Sequence, residues 1–365
     1  MIMKVSEKRQ NEYYMRIVLS LARRGTGRTS PNPRVGCVVV KDDKIVGTGF
    51  HRCPGSPHAE VMALSMAKDM SRGATLYVNL EPCIHYGRTP PCAPLIVERG
   101  IKRVFISTED PFPKVRGRGV EYLRSHGVEV VSGVLSDEAR WLNRGFLKVF
   151  EEGRPWITLK AAMSLDGDVA LSDGSSRWIT GRSSLKRSHL LRAEADAVLV
   201  GIGTILKDDP ELTVRYVEGE HPLKIILDTH LRIPINAKVF KEGDVLVVTS
   251  KGSSPQKVEE IISRGAGVMQ IPTDSRGFLD IKEMVCKLPS MDVHYLLVEG
   301  GPNVLSSFFD AKLFDEMALF YAPKIMGRGK GAFSGLSLMS MSEIPIGRIR
   351  GMKKLDDDLF LEVDM

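Results

Sequence analysis

Residues 57–92 decide the fold of the first part of the chain, and they read PHAEVMALSMAKDMSRGATLYVNLEPCIHYGRTPPC. The apolar run Ala74–Leu80 has the length of a buried strand. Runs with the pattern of helices begin at His58 before this strand and at Cys92 after it. Such alternation predicts α/β layering. Because Cys83 follows the strand, three side chains that can bind a metal, those of His58, Cys83 and Cys92, stand at the ends of predicted elements.

Four side chains of this stretch form a set that suits catalysis by zinc. Catalytic zinc keeps three protein ligands and one open position. It lowers the pKa of a bound water towards 7, and a nearby carboxylate that is not a ligand can carry the proton. We therefore predict that His58, Cys83 and Cys92 bind Zn2+ and that Glu60 is the catalytic acid and base. The predicted reaction is the hydrolytic removal of an amine from an aromatic ring.

The spacing of the two cysteines departs from the general signature of zinc deaminases. That signature is H-x-E followed by P-C-x-x-C, whereas eight residues separate Cys83 from Cys92. A two-residue spacing places both sulfurs within one turn, but eight residues leave a loop that must be folded by its own contacts. The helix starts at His58 and Cys92 would direct positive dipole ends towards anionic ligands.

Length and composition indicate an ordinary globular protein of two domains. The chain has 365 residues, of which 43% are hydrophobic and 26% charged. No run approaches the roughly 18 apolar residues of a membrane span, and the charged N-terminus lacks the apolar region of a secretory signal. Five cysteines do not suggest a disulfide framework, so Cys37, Cys53 and Cys286 are expected to be ordinary thiols in a reducing cytoplasm.

The mildly basic charge favours a small anionic substrate. The net charge is +6, and no long Lys/Arg block or aromatic-interleaved basic stripe stands out. A phosphorylated small molecule is favoured over a polynucleotide, so we expect neither a nucleic-acid nor a membrane partner.

The best domain boundary is the charged, Gly- and Pro-containing segment 151–155, which precedes a new apolar strand. We predict a first domain over residues 1–148 and a second over residues 149–365. In the first domain we expect a hairpin turning at residues 41–44 and one continuous helix from Ser136 to about Phe150. The second domain repeats the alternation of strands and helices.

The first half contains four distinctive motifs, TSPNPRVG at 29–36, GTGFH at 47–51, PHAE at 57–60 and EPCIHYGRTPPC at 81–92. Taken together, these motifs resemble those of the bifunctional deaminase/reductase family of riboflavin biosynthesis. In that family the eight-residue cysteine spacing is the usual pattern. The resemblance implies a cytidine-deaminase-like three-layer α/β/α domain. It also implies zinc-dependent deamination of 2,5-diamino-6-(5-phosphoribosylamino)pyrimidin-4-one.

The same resemblance implies substrate contacts in the first half. The family places the asparagine of its Pro-Asn-Pro motif against the pyrimidine, and here this is Asn32. An amide side chain can both donate to and accept from a ring edge, although a turn residue held by two prolines is the alternative. His51, His85 and Arg88 are implied contacts of the pyrimidine or the phosphoribosyl group. Phe112 stands where the family usually has asparagine.

The second half has no G-x-G-x-x-G after a strand, so its residues do not support a Rossmann site. It is nevertheless similar to the reductase half of the same family. The similar motifs are KAAMSLDG at 160–167, WIT at 178–180, LRA at 191–193, DA at 196–197, GIGT at 201–204, DDPELTVR at 208–215 and VEGGP at 298–302. The resemblance implies a dihydrofolate-reductase-like α/β domain that uses NADPH. Its implied reaction is reduction of the ribosyl group of 5-amino-6-(5-phosphoribosylamino)uracil to ribityl.

Residues of this half are assigned by the same resemblance. The implied substrate contacts are Ser176, Arg192, Leu212, Arg215 and Glu299, and the implied cofactor contacts are Ala162, Trp178, Thr204, Asp208 and the segment starting at Gly301. The Gly pair at 300–301 before a helix suits a pyrophosphate, though a simple turn is the alternative. A guanidinium could clamp the substrate phosphate, and surface salt bridging is the alternative for Arg192 and Arg215.

Three weaker expectations complete the assignment. Lys160 could act electrostatically near the sugar, and Ser250 with Lys251 could reach the 2′-phosphate of the cofactor. We also expect a homo-oligomer, either a dimer or a tetramer.

Two rival hypotheses make different predictions. A tRNA or nucleoside deaminase with an accessory domain predicts the short cysteine spacing and a basic groove along a nucleic-acid strand, and this chain has neither. A nucleic-acid-binding protein with a structural zinc needs a fourth protein ligand. His51, Cys53 and His85 are the nearby candidates for such a ligand.

Overall fold

The computed structural model of the chain describes residues 5–87, 89–112, 115–176, 179–336 and 340–365. The chain divides into two compact units that separate between Gly153 and Arg154. The boundary expected after residue 148 falls inside a helix that continues to Glu152. That helix ends at Gly153, whose φ of 71° lies in the left-handed region that glycine adopts without steric cost.

The first unit contains one five-stranded sheet and six α-helices among its described residues. The helices are α1 (Val5–Ala22), α2 (Ala59–Ala67), α3 (Cys92–Glu98), α4 (Arg118–Ser125), α5 (Ser136–Leu142) and α6 (Arg144–Glu152). The strands are β1 (Gly36–Lys41), β2 (Lys44–Phe50), β3 (Thr75–Leu80), β4 (Arg103–Thr108) and β5 (Glu129–Ser132). The strand order is β2-β1-β3-β4-β5, antiparallel on both sides of β1 and parallel from β3 to β5.

The predicted hairpin is present as β1 and β2. Its turn residues, Asp42 and Asp43, have φ values of 47° and 59°. Positive φ at both central residues is the geometry of a type I′ turn, whose twist matches that of the paired strands.

The continuous helix expected from Ser136 to Phe150 is wrong, because the structure breaks it at Asn143 into α5 and α6. The Asn143 side chain accepts from the Arg34 backbone N–H at 2.8 Å and donates to the Arg34 carbonyl at 3.0 Å. A buried asparagine that pairs with a distant backbone competes with the helical pattern. The break therefore ties α5 and α6 to the start of β1.

Helix α2 packs directly on β2 because two glycines of that strand carry no side chain. A Cβ on Gly47 would lie 2.1 Å from the Ala63 carbonyl oxygen, and a Cβ on Gly49 would lie 2.2 Å from the Ala59 oxygen. This close approach explains the Gly-Thr-Gly motif at 47–49. It also sets the position of the first turn of α2.

Helix α1 covers the other face of the sheet. Met15 and Val18 of this helix are buried against Val38, Val40 and neighbouring side chains of the sheet. With α2, α3 and α4 on one face and α1 with α5 on the other, the predicted α/β/α layering is confirmed.

The second unit is built on a nine-stranded sheet. Its helices are α7 (Arg182–Glu194), α8 (Ile202–Asp208), α9 (Pro255–Ser263), α10 (Ile281–Lys287) and α11 (Pro302–Asp310). The strands of this unit are β6 (Trp156–Ser164), β7 (Asp168–Ala170), β8 (Ala197–Gly201), β9 (Leu223–Leu227), β10 (Val245–Ser250), β11 (Gly267–Ile271), β12 (Tyr295–Val298), β13 (Glu316–Ala322), β14 (Lys330–Gly331), β15 (Arg348–Leu355) and β16 (Asp358–Asp364). Of these, β7 and β14 pair with each other in a separate two-stranded sheet.

The order in the large sheet is β11-β10-β9-β8-β12-β6-β13-β16-β15. The pairs from β11 to β13 are parallel, and β16 and β15 add antiparallel to that edge. Separate hydrophobic clusters pack on the two faces of the sheet. No helix among the described residues is long and apolar enough to cross a membrane.

The C-terminal hairpin of β15 and β16 was not predicted. The sequence of β15, RIRGMKKL, is rich in Arg and Lys and carries little of the pattern of a buried strand. The strands form because β16 pairs with β13 and buries Phe360 against Phe320, with ring centroids 4.6 Å apart.

Candidate active sites

Three metal-binding side chains meet where β3 ends and where α2 and α3 begin. His58 immediately precedes α2, Cys83 follows β3, and Cys92 is the first residue of α3. His58 Nδ1 lies 3.2 Å from Cys92 Sγ and 3.6 Å from Cys83 Sγ. The ligand atoms of these three residues all lie within 4.8 Å of one another. Among the described residues, they form the group of at least three His, Cys, Asp or Glu side chains that is close enough to hold a metal ion.

The donor set fits a zinc ion. Nitrogen and sulfur ligands about a tetrahedral zinc lie about 3.5–3.8 Å apart, close to the separations seen here. Hydrogen bonds from the Cys92 thiol, the His58 ring and the Cys92 backbone N–H lower the pKa of Cys83 to about 4, despite its burial. The thiolate is the form of cysteine that binds a metal.

Glu60 lies in the first turn of α2, beside the three ligands, and its side chain is buried. Burial raises the pKa of Glu60, and the positive charge of His58 opposes that shift. A raised pKa makes the protonated carboxyl more accessible near neutral pH, as a proton carrier requires.

Asn32 and His51, both predicted substrate contacts, are hydrogen-bonded to each other. Asn32 Nδ2 lies 3.0 Å from His51 Nε2, and His51 Nδ1 lies 3.5 Å from the Pro57 carbonyl oxygen. With the ring proton on Nδ1, His51 accepts from the Asn32 amide. Burial lowers the pKa of His51, which favours this neutral form. The His51 ring also stands edge-on to His58, with centroids 5.6 Å apart.

His85 and Phe112 lie together on the loops near this site. Their ring centroids are 5.6 Å apart, and Phe112 also contacts Phe150 at 5.4 Å. The Nδ1 atom of His85 is buried with no hydrogen-bond partner among the described residues. Phe112 therefore provides an aromatic contact where the resembling family usually has an amide. Arg88, the remaining predicted contact of this half, lies outside the described residues.

Glu81 is a residue whose role the sequence did not reveal. Its buried carboxylate accepts backbone N–H bonds from Asp110 at 3.2 Å, Gly117 at 2.9 Å and Val120 at 3.1 Å. These bonds fix the loop after β4 and the start of α4. The only signal in the sequence was that Glu81 precedes the Pro-Cys pair.

The second unit contains a cavity of about 940 Å³ at the carboxyl ends of β6, β8 and β12. This is where open α/β sheets bind their ligands. Six residues that were predicted to contact substrate or cofactor line it: Ala162, Ser176, Thr204, Asp208, Glu299 and Gly301. Lys160 lines it as well. Trp178 lies outside the described residues.

Arg192 does not line this cavity and is engaged elsewhere. Its guanidinium binds the Glu299 carboxylate through two hydrogen bonds of 2.8 and 2.7 Å, and it donates to the Thr213 carbonyl at 3.3 Å. Only 13% of the Arg192 side chain and 7% of the Glu299 side chain are exposed. The alternative of a surface salt bridge is therefore wrong for Arg192, because the pair is buried.

Charges beside the cavity set the ionisation of Glu299. Burial opposes its ionisation, but the positive charges of Arg192 and Lys160 outweigh burial and lower its pKa to about 2. Burial also lowers the pKa of Lys160, while Glu299 counteracts that effect. The cavity wall thus carries a carboxylate held ionised between two cationic side chains.

The segment with the remaining predicted substrate contacts, Leu212 and Arg215, lies outside the cavity wall. Leu212 is buried with a φ of 54°, and the exposed Arg215 side chain pairs with Glu211. The Arg215 backbone N–H donates to His189 Nδ1 at 3.1 Å. Burial and the charges of Arg192 and Arg215 lower the pKa of His189 to about 4, which keeps it a neutral acceptor. Sequence reasoning did not single out His189.

Three cationic side chains of the cavity wall were also missed, namely Lys207, Arg232 and Lys330. They come from distant parts of the chain, so no local motif could have connected them. Ser250 and Lys251, which were considered for the cofactor phosphate, do not line this cavity.

Comparison with known proteins assigns each unit to a known domain family. The cytidine and deoxycytidylate deaminase zinc-binding region matches residues 8–108, and the RibD C-terminal domain matches residues 155–359. The riboflavin biosynthesis protein RibD of Aquifex aeolicus is 47% identical over 95% of this chain and 96% of its own length. This chain belongs to the RibD family. The Escherichia coli RibD is 38% identical over 97% of this chain and 99% of its own length.

Solved structures of the family match nearly the full length of the chain. A RibD of Acinetobacter baumannii matches with a TM-score of 0.90 and 36% identity, covering 98% of this chain and 99% of its own. A Thermotoga maritima protein described as a diaminohydroxyphosphoribosylaminopyrimidine deaminase/5-amino-6-(5-phosphoribosylamino)uracil reductase matches with a TM-score of 0.88 and 39% identity, with the same coverage.

The family membership confirms the predicted resemblance, fold class and general activity. The chain is a bifunctional enzyme of riboflavin biosynthesis, with a deaminase domain of the zinc-binding family and a reductase domain. The match to the zinc-binding region extends over His58, Cys83 and Cys92, in agreement with their convergence.

Proposed function

We propose that the first unit hydrolyses the 2-amino group from 2,5-diamino-6-(5-phosphoribosylamino)pyrimidin-4-one. We further propose that the second unit reduces the product, 5-amino-6-(5-phosphoribosylamino)uracil, to its ribityl form with NADPH. The observation that carries the proposal is the convergence of His58, Cys83 and Cys92 with Glu60 beside them. The description of the Thermotoga maritima relative supports the choice of substrates.

The residues of the first site divide the work of deamination. Zinc, when bound by the three ligands, makes water nucleophilic at neutral pH. Glu60 accepts the proton of that water and delivers it to the departing amine, so that the ring C2–N bond breaks and ammonia leaves. The burial that raises the pKa of Glu60 helps the carboxyl to hold the proton between these two steps.

Asn32 and His51 orient the pyrimidine in this proposal. Because His51 engages the Nδ2 of Asn32, the amide has a fixed orientation and its Oδ1 can accept from the substrate ring. His51 itself is held by the Pro57 carbonyl. Arg88 and His85 are proposed to contact the phosphoribosyl group or the ring, since both belong to the loop between the cysteine ligands.

The cavity of the second unit fits a dinucleotide with several phosphates. Gly301 lines it and precedes α11, a helix of nine residues, and a Cβ on Gly301 would meet no atom within 4 Å. Backbone N–H groups at such a helix start attract phosphate oxygens. The cations Lys207, Arg232 and Lys330 add positive charge to the same wall. Ala162, Thr204 and Asp208 are proposed cofactor contacts on this surface.

Lys160 and Glu299 are proposed to act on the sugar. NADPH, when bound, supplies the hydride that reduces the sugar C1′. Lys160 can stabilise negative charge that develops on the ring oxygen as the sugar opens and that oxygen takes up a proton. Glu299, held ionised by Arg192, can orient the ribose hydroxyls, while Ser176, Leu212 and Arg215 complete the proposed substrate contacts.

One assay tests both halves of the proposal. The purified protein is given the diaminopyrimidinone ribotide with NADPH, and ammonia release and NADPH oxidation are followed together. We expect one ammonia per substrate, followed by one NADPH oxidised. Ammonia release without any NADPH oxidation would overturn the reductase assignment, and NADPH oxidation without ammonia would overturn the order of the two steps.

Two further predictions concern the whole protein. The homo-oligomer, a dimer or tetramer, and the cytoplasmic location stay predictions. Sedimentation of the purified protein, and fractionation of cells that produce it, would check them.

A further inference from the structure

The described residues between Cys83 and Cys92 belong to a loop whose ends are held together. The Ala93 N–H donates to the Cys83 carbonyl at 3.0 Å, and the Cys92 N–H donates to Cys83 Sγ at 3.4 Å. Within the loop, the Gly87 N–H donates to the Thr89 carbonyl at 3.3 Å. These contacts turn the chain back towards α2, where His58 stands.

Thr89 contacts the ring of His58 on the side away from the two sulfurs. Its Oγ1 lies 2.9 Å from His58 Nε2, whereas His58 Nδ1 faces Cys83 and Cys92. Nδ1 is therefore the nitrogen available to the metal. A ligating imidazole is neutral and carries its proton on the other nitrogen, so Nε2–H must donate and the Thr89 hydroxyl must accept.

We propose that Thr89 is a positioning residue for the zinc site, because its hydroxyl fixes both the tautomer and the orientation of the His58 ring. Partners of this kind commonly contribute to metal affinity although they do not touch the metal. The inference rests on the proposed zinc site. It also explains the long cysteine spacing. Thr89 lies three positions before Cys92, and with only two residues between the cysteines that position would be the first cysteine itself.

The test compares zinc affinity in Thr89→Val, Thr89→Ala and Thr89→Ser with that of the unchanged full-length protein. Competition with a chromogenic zinc chelator at one pH measures the affinity without any deaminase assay. We expect Thr89→Val and Thr89→Ala to bind zinc about 10–100-fold more weakly. Thr89→Ser keeps the hydroxyl and is expected to stay within about threefold, on the same second-shell argument.

Thr48→Val is the matched control. It also removes a threonine hydroxyl from the first unit, but that hydroxyl contacts the Met66 sulfur at 3.7 Å and not a ligand. Its zinc affinity is expected to be unchanged. Circular dichroism of the metal-free proteins shows whether each variant is folded. If Thr89→Val is not folded, the comparison rests on Thr89→Ala and Thr89→Ser.

Each outcome decides a different question. Equal zinc affinity in Thr89→Ala and the unchanged protein would overturn the role of Thr89 while leaving the zinc site intact. A Thr89→Ser variant as weak as Thr89→Ala would show that the methyl group matters and would also overturn it. Failure of the unchanged protein to bind zinc would instead overturn the proposed deaminase site.

Discussion

Replacing Arg192 by methionine is expected to destabilise the second unit by about 3–5 kcal/mol, because it leaves the Glu299 carboxylate buried without its partner. The pair is joined by two hydrogen bonds of 2.8 and 2.7 Å, with 13% and 7% of the side chains exposed. The lowering of the Glu299 pKa from 4.5 to about 2 corresponds to about 3 kcal/mol at neutral pH, in agreement with that range.

The pH dependence of stability should weaken in this variant. In the unchanged protein the Glu299 pKa is lowered on folding, so its contribution is present above about pH 4.5 and is lost as the pH falls towards 2. Without Arg192, Lys160 is the main charge that still opposes burial, so the pKa of Glu299 rises from about 2 back towards that of the unfolded chain. The variant should therefore lose less stability than the unchanged protein as the pH falls from about 4.5 towards 2.

Urea unfolding between about pH 3 and pH 7 measures both effects, with circular dichroism and tryptophan fluorescence, to which Trp156 of the second unit contributes, following the transition. The double variant Arg192→Met/Glu299→Gln serves as the control, and it should lose less stability than the sum of the two single variants. A loss below about 1 kcal/mol in Arg192→Met, the value of an exposed pair, would refute the reasoning. So would a pH dependence identical to that of the unchanged protein.

Three further changes concern the deaminase site. Glu60→Gln should slow ammonia release by about 10²–10⁴-fold while zinc content stays near one per chain, because it removes the proton carrier and no ligand; near-normal ammonia release would remove Glu60 from its role. Cys83→Ser should lose zinc and deaminase activity but should still reduce the deaminated intermediate with NADPH, as followed by the absorbance of NADPH. Loss of both activities in a folded protein would argue for a shared site. Asn32→Ala should raise KM for the diaminopyrimidinone about 5–150-fold by removing a hydrogen bond of about 1–3 kcal/mol, with Asn32→Asp as the comparison; an unchanged KM would place the pyrimidine elsewhere.

The convergence of the proposed zinc ligands could be predicted from the sequence because their signal is local. His58, Cys83 and Cys92 each stand at the end of a helix or strand whose pattern is readable, and the chain order of ligands and carboxylate is distinctive. The long cysteine spacing was the one ambiguity, and it was resolved by resemblance to a family and not by physics.

The partners of the predicted residues could not be predicted in the same way. The residues alone favoured a surface ion pair for Arg192, the family resemblance favoured a substrate contact, and only folding shows that it binds Glu299, 107 positions away in the chain. The same holds for Asn143, which breaks a helix because Arg34 presents its backbone to it across 109 positions. A strongly helical pattern on either side of Asn143 concealed that break.

By itself, the sequence determined the alternation of helices and strands, the zinc ligand set and the carboxylate beside it, since each depends on neighbours in the chain. The tertiary structure alone decided which charges are buried together, which cations surround the reductase cavity, and that Thr89 contacts the imidazole of His58. The physical reason is that these contacts depend on distance in space, which residues far apart in sequence acquire only when strands pair and helices pack.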